Sequence, residues 1–157
     1  MLRGISWKLL AGYAGAQIIG SFAGVACAHL MFGLPPFSAS EHIRSGGSQV
    51  FSEFVVAFGL LAVIWGVVRS RPTVVPFAVG AYITAAYWFT ASTSFANPAV
   101  TLARAATNTF VGIRPADTPA FLLAQIGGAV AGTMVFRWLT PRMLKSATEL
   151  VVPHAEE

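Results

Sequence analysis

The chain is 157 residues long, 55% apolar and only 10% charged, with a mean hydropathy of +0.68 and a formal net charge of +4. That is too apolar for a soluble domain of this size, so a membrane protein is the first expectation. The ten Lys and Arg lie scattered at the ends of apolar runs and form no stripe, which argues against nucleic acid as a partner and leaves membrane orientation as the use of the charge.

The start, MLRGISWKLL, has a basic residue ahead of apolar ones. The run that follows is long, carries Gln17 and lacks a cleavage site, so it is not read as a signal peptide. A bilayer core takes about 20 apolar residues per helix, and four nearly uncharged stretches meet that length, roughly 9–31, 50–68, 73–91 and 119–139. Cys27, the single cysteine, sits inside the first of them, where it reads as a small buried hydrophobe and not a reactive thiol. Between the spans lie a polar loop at 34–49 (LPPFSASEHIRSGGSQ), a basic turn at 69–73 (RSRPT) and a long connection at 92–118. Residues 1–145 are expected to form one membrane domain and 146–157 a solvated tail.

The cations give this zigzag a direction. Arg3, Lys8, Arg69, Arg71, Arg137, Arg142 and Lys145 fall on one side and Arg44, Arg104 and Arg114 on the other. Seven against three favours cytoplasmic termini and a cytoplasmic RSRPT turn.

A repeat is also present. Residues 16–24 (AQIIGSFAG) and 124–132 (AQIGGAVAG) agree at six of nine positions with an offset of 108. Two Ala/Gly-rich helices can resemble each other by chance, because small residues at four-residue spacing let helices pack closely. A shared glutamine in an apolar segment weighs against chance. The two copies start on opposite sides of the membrane, which is the arrangement of an inverted repeat and of transport folds.

The connection contains SFANPAVTLARA, residues 94–105. Asn97 is a favoured helix N-cap and Pro98 suits the first helical position, since its missing N–H would be unpaired there in any case. About a dozen helical residues follow before Thr109–Gly112, a reach of ~18 Å against a core of ~30 Å. Such a helix cannot cross, so it reads as re-entrant, dipping in from the outer face. Its electropositive start would then point into the bundle, repelling cations, while the Asn97 NH₂ stays free to donate to water or to a neutral hydroxylated solute.

These segments resemble the major intrinsic protein family, the aquaporins and glycerol facilitators. YAGAQIIGSFAG is similar to the third membrane helix of that family, SEFVVAFGLLAVIWG to the fourth, VVPFAVGAYITAAYW to the fifth, SFANPAVTLARA to the second half-helix and FLLAQIGGAVAG to the sixth. The resemblance implies an all-α membrane protein: an incomplete aquaporin-like inverted-repeat bundle of four spans plus one re-entrant half-helix. It implies a passive channel for water and small neutral solutes in the inner (plasma) membrane, and a homo-oligomer, a tetramer by the family pattern. Asn97, Pro98 and Ala99 match the NPA motif. Ser94, Val100 and a residue of the fifth segment match the outer filter; an ungapped count points to Ala85 and alignment on Pro76–Gly80 to Tyr87, which is preferred.

Two departures from the family pattern stand out. Where most members carry an arginine directly after the motif, this chain has Val100, which should widen the constriction and remove one outer electrostatic barrier; Arg104, a turn further along, is not expected to replace it. A valine there also resembles bacterial channels associated with arsenic resistance and suggests neutral metalloid hydroxides. The other departure concerns the repeat. Asn97 precedes Gln125 by 28 residues, so the counterpart of Asn97 ahead of Gln17 would fall before Met1. The chain is therefore expected to lack the first two helices and the first half-helix, as a fragment or as a shortened protein. The competing reading is a non-conducting membrane subunit that associates with other copies or with a full-length relative.

Glu53, near the start of its span, has two readings: an acid favouring the helix dipole, or, as the family match implies, a buried acceptor that holds the half-helix loop. Gln17 and Gln125 are scaffold residues, hydrogen-bonding between helices or orienting the half-helix loops. Trp7, Trp88, Trp138 and Tyr87 fit interfacial anchoring as well as pore lining. His29 and His42 have no neighbours at metal-ligand spacing, so neither metal nor cofactor is expected. No nucleophile, base and acid arrangement, phosphate loop or carboxylate pair points to an enzyme. A small secondary transporter would need an intramembrane acid to couple an ion gradient, and only Glu53 is present.

Overall fold

The structure is a computed structural model that describes residues 6–139. The tail expected at 146–157, with Arg3, Arg142 and Lys145, lies outside the described residues.

Five α-helices follow in chain order: α1 (Trp7–Met31), α2 (Gly47–Val68), α3 (Val75–Phe89), α4 (Pro98–Arg104) and α5 (Thr118–Leu139), and no strand occurs among the described residues. Ser6 caps α1 by accepting the Leu9 N–H at 3.3 Å. At the other end Gly33 takes φ +68°, the Leu34 N–H reaches back to the His29 carbonyl at 2.8 Å, and the Gly33 N–H reaches that of Leu30 at 3.2 Å. This is the hydrogen-bonded stop that a glycine just past a helix end permits.

By length and apolarity α1, α2 and a segment of 25 residues ending at Leu139 can each cross a membrane. The third predicted span comes out shorter. Its 15 helical residues rise ~22 Å, because Pro72 and Pro76 confine the start to a 3-10 turn and the polar run from Thr90 goes extended.

The helices α2 and α5 pack closest. A Cβ on Gly128 would run into the Phe54 carbonyl oxygen, and one on Gly132 would stand 3.0 Å from the Leu61 Cβ, so glycine at both positions is what brings the backbones together. Helix α3 packs on α2, with the Tyr82 hydroxyl donating to the Val56 carbonyl at 3.1 Å. Helix α4 lies between α1 and α5.

Apolar clusters are small: Val56, Ala86 and Ala96 in one, Phe95, Ile113 and Phe121 in another. The interior is otherwise polar, with Glu53, Ser92, Thr101 and Gln125 all nearly inaccessible, while Ile19, Phe77 and Leu123 face outward. Polar inside and apolar outside is the pattern of a protein solvated by lipid. Trp7, Trp88 and Trp138 are exposed near helix ends, a placement that suits interfacial anchoring. Cys27, expected to be buried, is exposed, because α1 packs chiefly along the face that meets α4.

Candidate functional site

The polar run after α3 is strained. Thr93, Ser94 and Ala96 all take positive φ (62°, 49° and 54°), a conformation costing non-glycine residues on the order of 1–2 kcal/mol each. Glu53 holds it. This residue is the seventh of α2, beyond the first turn, and is completely buried; its carboxylate accepts the Phe95 N–H at 2.9 Å and the Ala96 N–H at 3.0 Å. Gln125 of α5 donates to the same carboxylate at 2.7 Å and to the Thr101 hydroxyl at 2.8 Å, and Thr101 in turn donates to the Asn97 carbonyl at 3.0 Å. Hydrogen bonds to a buried carboxylate are the strong kind, and together they tie α2, the loop, α4 and α5 into one unit.

At the head of α4, Asn97 has extended backbone and its side-chain oxygen accepts the Ala99 N–H at 2.8 Å; Pro98 is the first helical residue and Ala99 is buried. The Asn97 NH₂ lies 3.5 Å from the Gln17 side-chain oxygen, at the outer limit of a hydrogen bond. Gln17 is the eleventh of the 25 residues of α1 and is exposed. The tip of α4 is therefore level with the middle of a membrane-length helix.

Helix α4 is shorter than the dozen residues the sequence suggests. It stops at Arg104 because the next carbonyls are taken up elsewhere: Ile113 N–H donates to Arg104, Ser40 N–H to Ala105 and Ser38 N–H to Ala106, at 3.2, 3.0 and 3.0 Å. The 34–46 loop thus lies across the far end of the half-helix.

Beside that end is a cavity of about 630 Å³, lined by Ser21 to His29 of α1 and by Phe32 just past its end on one side, and by Val100, Ala103 and Arg104 on the other. His29 is buried in its wall between the Pro35 carbonyl and the Thr107 hydroxyl, 2.6 Å from each. Arg104 is 8% exposed, donates to the Tyr87 hydroxyl at 2.6 Å and rests over the Phe95 ring at 4.3 Å. Arg44, from the loop, lies over the same ring at 5.2 Å. Burial draws the Arg44 pKa below its ordinary value, the neighbouring Arg104 adds to this, and Glu53 works against it. In the connection before α5, Arg114 pairs with Asp117 at 2.8 Å, and that hydrogen bond raises the Arg114 pKa.

Of the expected filter residues, Val100 lines the cavity half-buried, and Tyr87 reaches it through Arg104. Ala85 is exposed, roughly 200° around α3 from Tyr87. Ser94 is buried with its hydroxyl unpaired, away from the cavity lining. Arg44, Phe95 and the His29–Thr107 pair were not singled out from the sequence. The signal for the arginines was their charge within loops that fold back into an apolar bundle, a setting where ionisable groups are rare and costly.

A buried carboxylate holding a short amide-capped helix inside a bundle that is apolar outside is the architecture of a helical membrane protein with irregular backbone in its interior. The chain belongs to the major intrinsic protein family, whose description (Major intrinsic protein) matches residues 69–156. It is 57% identical over 129 residues to Aquaglyceroporin AqpS of Rhizobium meliloti (strain 1021), an alignment covering 82% of this chain and 55% of that relative. The chain spans about half the length of the curated relative it matches. No solved structure matches it.

Proposed function

We propose that this chain forms a passive path for water and small neutral solutes, glycerol-like polyols and metalloid hydroxides among them. The observation that carries the reading is the position of Asn97, whose amide donors are almost free at mid-depth, below a wide cavity bordered by Val100. Its oxygen is occupied in capping α4, so what it offers a passing molecule is a hydrogen-bond donor, suited to the oxygens of water and alcohols. Pro98 and Ala99 fix the start of α4. Glu53 and Gln125 keep the strained loop in place, with Gln17 facing the Asn97 amide. Val100 and Tyr87 would set the aperture, with Ser94 behind them. The name of the relative, an aquaglyceroporin, supports solutes larger than water. None of these groups is placed for bond-making chemistry, which supports a channel over an enzyme. The same reading puts the chain in the inner membrane as a homo-oligomer, with cytoplasmic termini.

The test is flux. Liposomes containing this chain should shrink faster in hyperosmotic sucrose and re-swell faster in glycerol than empty ones. Equal rates with and without protein would overturn the reading. Val100→Arg should slow glycerol at least several-fold while water is spared, and unchanged glycerol flux would remove Val100 from the aperture.

A further inference from the structure

Two arginines converge on one aromatic ring beside the cavity, and one of them, Arg104, lines it. Arg44 comes from the loop after α1 and Arg104 from the last turn of α4, and their guanidinium carbons stand 5.2 and 4.3 Å from the centre of Phe95. Each of the three Arg44 guanidinium nitrogens has a partner, donating to the carbonyls of Gly112, Ser92 and Phe110 at 2.6, 3.1 and 2.8 Å. Arg104 is not. Its Nη2 donates to Tyr87, its guanidinium carbon lies 5.5 Å from the Tyr87 ring centre, and its Nη1 is buried without a hydrogen-bond partner.

Neither guanidinium is in an ion pair; the one ion pair among the described residues is Arg114 with Asp117. Two buried carboxylates lie nearby: Glu53, which already accepts three N–H donors, and Asp117, which is ion-paired with Arg114 and accepts the Arg44 backbone N–H at 3.0 Å, so the guanidinium groups of Arg44, Arg104 and Arg114 exceed the carboxylates by one. Carbonyl oxygens and aromatic faces soften the cost of such burial without cancelling the charge. An excess positive charge therefore remains in a medium of low dielectric, where it acts over several ångströms. Arg104 and Val100 are one turn apart and border the same cavity.

We infer that Arg104, tethered by Tyr87 and Phe95 and backed by Arg44, is a specificity-determining cation of the outer cavity, turning away positively charged solutes while the aperture at Val100 stays wide enough for neutral hydroxylated ones. Charge selection and size selection are thereby carried by different residues. The effect on transport rests on the channel reading; the electrostatic effect can be measured without it.

In the full chain carrying Cys27→Ser, Val100→Cys supplies a single thiol in the cavity. Its rates with a negatively charged sulfonatoethyl and a positively charged trimethylammonioethyl methanethiosulfonate are compared with those of a free thiol. The anionic reagent should be favoured on the order of tenfold at low salt, fading towards 1 M salt. Arg104→Gln should abolish the preference and Arg104→Lys retain it. A preference that is absent in the parent, or that survives Arg104→Gln, overturns the inference. Should Arg104→Gln fail to fold, Tyr87→Phe reads the tether: the preference should drop several-fold, and an unchanged ratio rejects Tyr87 as its holder. In conducting liposomes, Arg104→Gln should raise the ratio of methylammonium to glycerol permeation several-fold, and a constant ratio would count against charge selection. Liposomes passing neither water nor glycerol would defeat the channel reading and leave the thiol measurement to decide the inference.

Discussion

The two copies of the repeat carry nearly the same residues and lead different lives. In α5, one face of AQIGGAVAG packs tightly on α2: Gln125 is 2% exposed with both donors engaged, and Gly128 and Gly132 sit where any side chain would meet α2. In α1, AQIIGSFAG is mostly open. Gln17 is exposed, with the Asn97 amide 3.5 Å from its side-chain oxygen, and a Cβ on Gly20 or Gly24 would meet nothing within 4 Å. A glutamine and two glycines therefore do not by themselves make a packed helix face. What makes one is an opposing helix that brings a carboxylate and a close backbone.

The sharpest way to break this contrast is to remove the carboxylate. Glu53→Leu leaves the Phe95 and Ala96 N–H groups and Gln125 without their acceptor, each at ~1–3 kcal/mol, and frees a loop that stores strain. The variant should lose its folded state in detergent, seen as aggregation on size exclusion. A monodisperse Glu53→Leu would show that the loop holds itself.

Next in size is Gly128→Leu, which drives a side chain into the Phe54 carbonyl and should cost ~3 kcal/mol or more. Gly20→Leu, its counterpart, should fall within ~0.5 kcal/mol in the same denaturation assay. Similar losses from both would mean that α1 is covered in the assembled protein much as α5 is. Gln125→Leu, which takes one donor from Glu53 and one from Thr101, should destabilise by ~1–3 kcal/mol. The smallest effect is expected for Gln17→Leu, close to neutral in stability, with any change confined to solute flux past Asn97.

Much of this architecture is visible in the residues. The four apolar runs appear as helices α1, α2, α3 and α5, Asn97–Pro98 starts a helix, and Gly33 ends one, because capping and burial in lipid are local properties of a segment. Helix α4 is shorter than its local sequence suggests. Residues 105–108 have acceptable helix propensity, and it is the donors of Ser38, Ser40 and Ile113, arriving from elsewhere in the chain, that end the helix at Arg104. The surroundings of Arg104 depend on the same kind of long-range contact. Counting along the helix puts it a turn away from Val100 at the same cavity, and its long side chain reaches Tyr87 and Phe95 from elsewhere in the chain.

The amino-acid sequence alone determined that the chain lives in lipid, where it crosses, and where a broken helix begins, since each of these follows from hydropathy and from the stereochemistry of adjacent residues. Only the tertiary structure decided which of the two repeated faces is buried, which acid holds the strained loop, and which arginine stands at the cavity. Those outcomes depend on donors and acceptors far apart in the chain, whose pairing is set by how the helices pack and not by what any one of them contains.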